Sequence, residues 1–172
     1  MNWFKKLYTP KYDIVQIKKD DFDIVKKLFI DGINNNCYEK ILIENKEEFE
    51  NMVTYMTNGK GGTDKIGRIA LTLSCSIYQE KTIGFITLAI DENKKEIEIW
   101  YFSLLNSYQN KKLGSTYINI LLKMLKREFP KYSLFVRCKE SSKGMTKILK
   151  NNNFEKTGKN KENYFYYKRQ TI

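Results

Sequence analysis

Residues 97–125 read IEIWYFSLLNSYQNKKLGSTYINILLKML. An apolar strand ends near Leu104 and Leu105, and a polar turn follows. From there Leu113, Tyr117, Leu121, Met124, Leu125 and Phe129 recur at helical spacing until Pro130 stops the pattern. A strand that turns straight into a helix leaves the first helical N–H groups without partners. It also presents the positive end of the helix dipole to whatever precedes it. Such a corner suits a pyrophosphate. Gly114 lets the backbone come close to a ligand, and Lys111 and Lys112 add positive charge at the same spot.

Upstream, Tyr12–Ile17 alternates as a strand, and an Asp20–Asp21 start precedes a helix carrying Phe22, Val25, Leu28 and Phe29. A second helix over Asn45–Met56 ends in a glycine-rich loop at 57–66. Arg68–Tyr78, Thr82–Asp91 and Glu96–Leu105 are rich in Ile, Leu, Thr and aromatics, and the short breaks between them predict an antiparallel meander. Downstream lie a short strand, Ser133–Cys138, a helix over Ser141–Asn152, and two closing strands, one from Phe154 and one over Asn163–Lys168. The order is β-α-α-β-β-β-α-β-α-β-β. No repeat, linker or domain boundary interrupts it, so residues 1–172 read as one domain.

The composition is that of a folded globular chain, with 41% hydrophobic and 30% charged residues. The net charge of +11 has two readings. One is attraction to phosphate on a cofactor or nucleic acid; the other is the Lys-, Asn- and Ile-rich usage of an AT-rich genome, which the even spread of Lys favours. Three widely spaced cysteines and no histidine argue against a disulfide framework or a zinc site, and no metal is expected. Free thiols fit a reducing, cytoplasmic setting. Without histidine, acid–base chemistry falls to Asp, Glu, Tyr, Lys, Cys or water. No apolar run is long enough to span a membrane, and Trp3–Leu7 reads as a packed or frayed terminus rather than a surface anchor.

The element order resembles the GNAT acetyltransferase fold: a central, mostly antiparallel mixed sheet of about seven strands flanked by about four helices, in the α/β (α+β) class. The turn Gln109-Asn110-Lys111-Lys112-Leu113-Gly114 resembles that family's acyl-CoA motif, Q/R-x-x-G-x-G/A. Gln109 and Gly114 match; Lys112 replaces the first glycine. The run from Ser142 to Phe154 resembles the family's segment ending Leu-Tyr-x-x-x-Gly-Phe.

The resemblance implies an acetyl-CoA co-substrate in a V-shaped opening between the strands Glu96–Leu105 and Ser133–Cys138. Backbone groups at Leu104 and Leu105 would hold the pantetheine and acyl carbonyl. Those of Gln109, Asn110, Lys111, Lys112, Leu113, Gly114 and Ser115 would hold the pyrophosphate, with Ser142 also on the cofactor. Lys112 is expected at a position that needs no positive φ, its side chain turned to solvent or phosphate; the alternative is weakened cofactor binding. The family's usual acid, a tyrosine, falls on Leu149, which has no proton to give. Tyr101, Tyr108, Tyr164 and Tyr166 are the substitutes, each also readable as packing. Glu98 resembles the glutamate base of the histone-acetyltransferase branch, and its apolar neighbours would raise its pKa; the alternative is a solvated strand edge, part of a charged start with Glu96. Strict alternation would put Glu98, Trp100, Phe102 and Leu104 on one face. Cys138 reads as a structural thiol. The expected function is direct acetyl transfer to a primary amine, with a carboxylate or water-mediated base, by a monomer or homodimer. The alternatives are a non-catalytic acyl-CoA binder, or a basic protein acting on or binding tRNA, for which no nucleic-acid motif is present.

Overall fold

The computed structural model describes residues 11–170; the Trp3–Leu7 start lies outside them. The elements are β1 (Tyr12–Gln16), α1 (Phe22–Asn34), α2 (Lys46–Thr57), β2 (Gly62–Thr63), β3 (Ile69–Ile77), β4 (Lys81–Asp91), β5 (Glu96–Leu104), α3 (Leu113–Glu128), β6 (Ser133–Lys139), α4 (Lys143–Asn151), β7 (Glu155–Lys159) and β8 (Tyr164–Arg169). The expected order holds, with one addition: the glycine-rich loop contributes the two-residue β2, which pairs with β3 and makes the sheet eight-stranded. Asn45 caps α2, its side chain accepting from the N–H groups of Glu47 and Glu48 at 3.1 and 3.2 Å. Asp21 does not cap α1 in this way; its carboxylate accepts instead from the Lys18 N–H at 2.9 Å.

The strand order is β1-β3-β4-β5-β6-β8-β7, and only β5 and β6 run parallel. The sheet separates two cores. On one face α3 and α4 bury Leu113, Tyr117, Leu121, Leu125 and Leu149 against Ile86, Leu88, Ile97, Ile99, Val136 and Cys138. On the other, α1 and α2 bury Val25, Leu28, Phe29, Phe49 and Val53 against Phe85, with Tyr38 and Tyr101 at the rim. Phe29 is the centre of this second core, its ring 5.0–6.1 Å from those of Tyr101, Phe85, Tyr38 and Phe49.

Tyr117 ties the α3 layer to the sheet. Its buried hydroxyl donates to the Ser76 carbonyl at 2.7 Å, where the β3–β4 register shifts and ladder bonding is irregular. Tyr117→Phe should therefore lower stability by about 1.5 kcal/mol in urea denaturation, because it strands a buried carbonyl. A loss below about 0.5 kcal/mol would mean that water replaces the phenol.

Two features of β5 shape the site. It pairs with β6 only over Glu96–Ile99 against Ser133–Val136, after which β6 continues beside β8 and β5 beside β4. The parallel strands therefore part at Trp100 and Arg137, opening a V toward their C-terminal ends. At the same point the β4–β5 register jumps from Leu88↔Ile99 to Thr87↔Tyr101, leaving Trp100 as the extra residue of a bulge. The bulge breaks the strict alternation expected for β5. Ile97, Ile99, Phe102 and Leu104 pack on the α3 side, whereas Tyr101 packs on the α1–α2 side.

Candidate active site

The turn after β5 is tied down by its own polar residues. A short helical turn, Asn106–Tyr108, leads to Gln109, whose amide nitrogen donates to the Leu104 carbonyl at 2.8 Å and to the Asn106 side chain at 3.0 Å. The Gln109 N–H itself donates to the Asn106 carbonyl at 3.2 Å, so Gln109 anchors the turn with both side chain and backbone. From there the pattern changes. Among the described residues, the N–H groups of 110–115 have no protein acceptor, and the first helical bond is Thr116 N–H to Lys112 O at 3.1 Å. Six consecutive donors without a protein acceptor at a helix start, beside Lys111 and Lys112, are an arrangement that suits an anion.

Lys112 corrects an expectation. It lies at φ 62°, in the left-handed region, and Asn110 at φ 58° does the same. The position does require positive φ, which is why a glycine suits it. Lys112→Gly removes a left-handed penalty of about 1–2 kcal/mol and adds about 0.5–1 kcal/mol of unfolded-chain freedom. Stability should rise by up to about 1 kcal/mol in denaturant titration; a loss would show that the Lys112 side chain makes a contact that outweighs its backbone strain. Gly114 faces protein as well as the corner: a Cβ there would stand 2.8 Å from Ile148 Cδ1 and 3.8 Å from Phe102 Cε1. Its missing side chain lets the start of α3 close against α4 and β5.

Along β5, Leu105 N–H donates to the Ile83 carbonyl at 2.9 Å and so belongs to the β4 pairing. Alternation then turns the backbone groups of Phe102 and Leu104 away from β4, toward the V. The carbonyls on that edge are taken, Phe102 O by the Tyr38 hydroxyl at 3.0 Å and Leu104 O by Gln109. Opposite Leu104, Gly84 makes the strand pairing possible: a Cβ on it would lie 2.3 Å from the Ser103 carbonyl oxygen. Ser142 begins α4 at the end of β6, its N–H donating to Lys139 O at 2.9 Å. Because β5 and β6 are parallel, this second strand-to-helix turn lies at the same end of the sheet as the first.

Glu98 points to the α1–α2 side, 4% exposed. One carboxylate oxygen accepts from Arg68 Nη1 at 2.7 Å and the other from Arg137 Nε at 2.6 Å. Arg68 is held in turn by Asp64 at 2.8 Å and lies over the Trp100 ring, 5.0 Å from its centroid. Arg137 reaches from β6 across the vertex of the V, so the pair bridges the strands where they part. Beyond it, Tyr38 and Tyr101 meet edge to face at 5.4 Å, and burial raises the pKa of both phenols. Lys139 pairs with Glu39 at 3.1 Å, and the Tyr164 hydroxyl donates to the same carboxylate. Burial, then this bond to Glu39, raises the Tyr164 pKa. Ser141 Oγ donates to Asn36 O at 2.6 Å, so the loop after α1 is fastened to the end of β6.

The other sequence candidates make packing contacts, although Tyr166 is the cross-strand partner of Arg137. Tyr166 stacks on Phe135 at 5.8 Å, and Tyr108 sits among Lys81 and Lys111. Leu149 is fully buried in the α3–α4 core. Burial pushes the Cys138 thiol up, as suits a structural thiol. Sequence reasoning missed Tyr38, Arg68 and Arg137. Their one sequence signal is residue type, because each is brought to the site by strand pairing or loop packing. No helix among the described residues is long and apolar enough to cross a membrane.

Residues 62–153, more than half of the chain, match the Acetyltransferase (GNAT) family. No curated protein matches in sequence. Among solved structures, the ribosomal L7/L12 alpha-N-protein acetyltransferase RimL in complex with coenzyme A superposes with a TM-score of 0.74 at 14% identity, covering 95% of this chain and 97% of that one. The PaiA N-acetyltransferase from Thermoplasma acidophilum, also with coenzyme A, gives 0.63 at 17% identity over 94% and 99%. A mutant of the spermidine N-acetyltransferase SpeG from Vibrio cholerae gives 0.70 at 12% over 93% and 94%.

Proposed function

The chain belongs to the GNAT acetyltransferase family, as an acyltransferase with acetyl-CoA as co-substrate, and we propose that it acetylates a primary amine by direct attack in the V between β5 and β6. The observation that carries this reading is the run of free N–H groups at 110–115 at the open end of that V. A pyrophosphate there would be met by backbone donors, the helix dipole and two lysines. Acetyl-CoA supplies the activated thioester. The N–H groups of Phe102 and Leu104, turned toward the V, are placed to polarise an acyl carbonyl.

In this reading Glu98 positions rather than abstracts. A base must take up the proton it removes, and a protonated Glu98 would release Arg68 and Arg137 together. The ammonium proton then leaves through water, and a tyrosine at the V is the remaining donor to the thiolate. Tyr101 and Tyr164 are the candidates.

A second reading, a non-catalytic acyl-CoA binder, is favoured by one observation: the family's usual acid position is Leu149, which is buried and aprotic. Transfer of label from radioactive acetyl-CoA to amines separates the two. Incorporation that depends on the amine supports the enzyme. Tight coenzyme A binding without incorporation across peptides, amino acids and polyamines supports the binder.

A further inference from the structure

We infer that Arg137 selects an acceptor carrying a carboxylate beside its amine, such as an amino acid or a peptide that begins with an acidic residue. This rests on the reading of the V as the acetyl-transfer cleft.

Arg137 is the first β6 residue beyond the paired segment, and it faces the α1–α2 side. Its Nε is fixed on Glu98 at 2.6 Å, yet its side chain is 42% exposed. Among the described residues, its two Nη groups have no acceptor. A guanidinium has five N–H donors in a rigid plane, and binding through Nε leaves the Nη edge free for a planar oxyanion. The anchor fixes the direction of that edge before any ligand arrives, which lowers the ordering cost of binding.

The surrounding charges favour an anion over a polycation. The carboxylates around the vertex each have a cationic partner: Glu98 has two arginines, Asp64 has Arg68, Glu39 has Lys139, and Glu96 has Lys168 at 3.1 Å. A polyamine would have to compete with these cations for a carboxylate. Arg68 and Lys139 are themselves held by acids and shielded, with side chains 16% and 13% exposed. Arg137 is therefore the cation at the vertex of the V with donors to give.

The test uses matched acceptors: glutamate against its α-amide, and a peptide beginning with Glu against the same peptide beginning with Gln, with spermidine as the polycation. The acid of at least one pair is expected to exceed its amide in kcat/KM by about tenfold to a hundredfold, as charge-assisted hydrogen bonds do. Whichever pair shows the gap identifies the source of the carboxylate. Arg137→Lys keeps a charge for Glu98 but loses the fork, so the acid-to-amide ratio should fall to below about threefold. Equal use of acids and amides, preference for spermidine, or an unchanged ratio in Arg137→Lys overturns the inference. If no acceptor is acetylated, calorimetric titration with N-acetylglutamate and its diamide still decides. Acid-selective binding abolished by Arg137→Lys upholds the carboxylate site while acetyl transfer fails; absence of acid selectivity refutes the site.

Discussion

Glu98→Ala should lower the free energy of unfolding by about 3 kcal/mol, a loss typical of removing one partner from a buried ion pair. Glu98 is 4% exposed and holds two guanidinium groups. Arg68 keeps Asp64 after the substitution, and Arg137 is half in solvent, which places the loss at the low end for such sites. The isosteric Glu98→Gln keeps one carbonyl acceptor and should lose about half as much. Its kinetics decide the role of the carboxylate. A positioning residue leaves kcat within about tenfold and the acidic limb of the pH–rate profile in place. A base would cost about a hundredfold to ten-thousandfold, and its removal would erase that limb. Thermal or urea unfolding of both variants, measured beside their pH profiles, keeps the stability effect apart from the chemistry.

Most of the fold is legible in the sequence because its elements announce themselves locally. Leu113, Tyr117, Leu121 and Leu125 repeat at helical spacing and line the face of α3 that is buried. Asn153 takes φ 58° where the family segment has glycine, so even this departure preserves the turn before Phe154. The site is less legible, because its decisive features are not local. The bulge at Trp100 comes from the register against β4, and no period-two reading of β5 alone reveals it. The partners of Glu98 come from 30 and 39 residues away, through β3–β4–β5 pairing and the β5–β6 crossover. The same Glu98, read among Ile97, Ile99 and Trp100, looks like a desolvated base; placed in the sheet, it is the centre of an ion-pair bridge. Lys112 shows the converse. Its chemistry suggests a phosphate contact, whereas its backbone explains why the family prefers glycine there.

The corner itself can be tested by giving it an internal anion. Ser115 is the third residue of α3, with Lys112 at the N-cap. A glutamate at that position places its charge at the positive end of the helix, beside the N–H groups that lack partners. Ser115→Glu should therefore stabilise the free protein by about 0.5 kcal/mol. The same carboxylate would occupy donors that the proposed function reserves for the pyrophosphate, and it would repel the phosphates directly. Coenzyme A affinity, read by calorimetry, should fall about 30-fold, equivalent to about 2 kcal/mol. Because the effect is largely electrostatic, the gap between wild type and variant should narrow as salt is raised. The opposite signs are what make the substitution informative. A variant that is merely misfolded loses both stability and affinity, whereas a blocked phosphate corner gains the first and loses the second. Undiminished affinity in a well-folded Ser115→Glu protein would place the pyrophosphate elsewhere and remove the observation on which the proposed function rests.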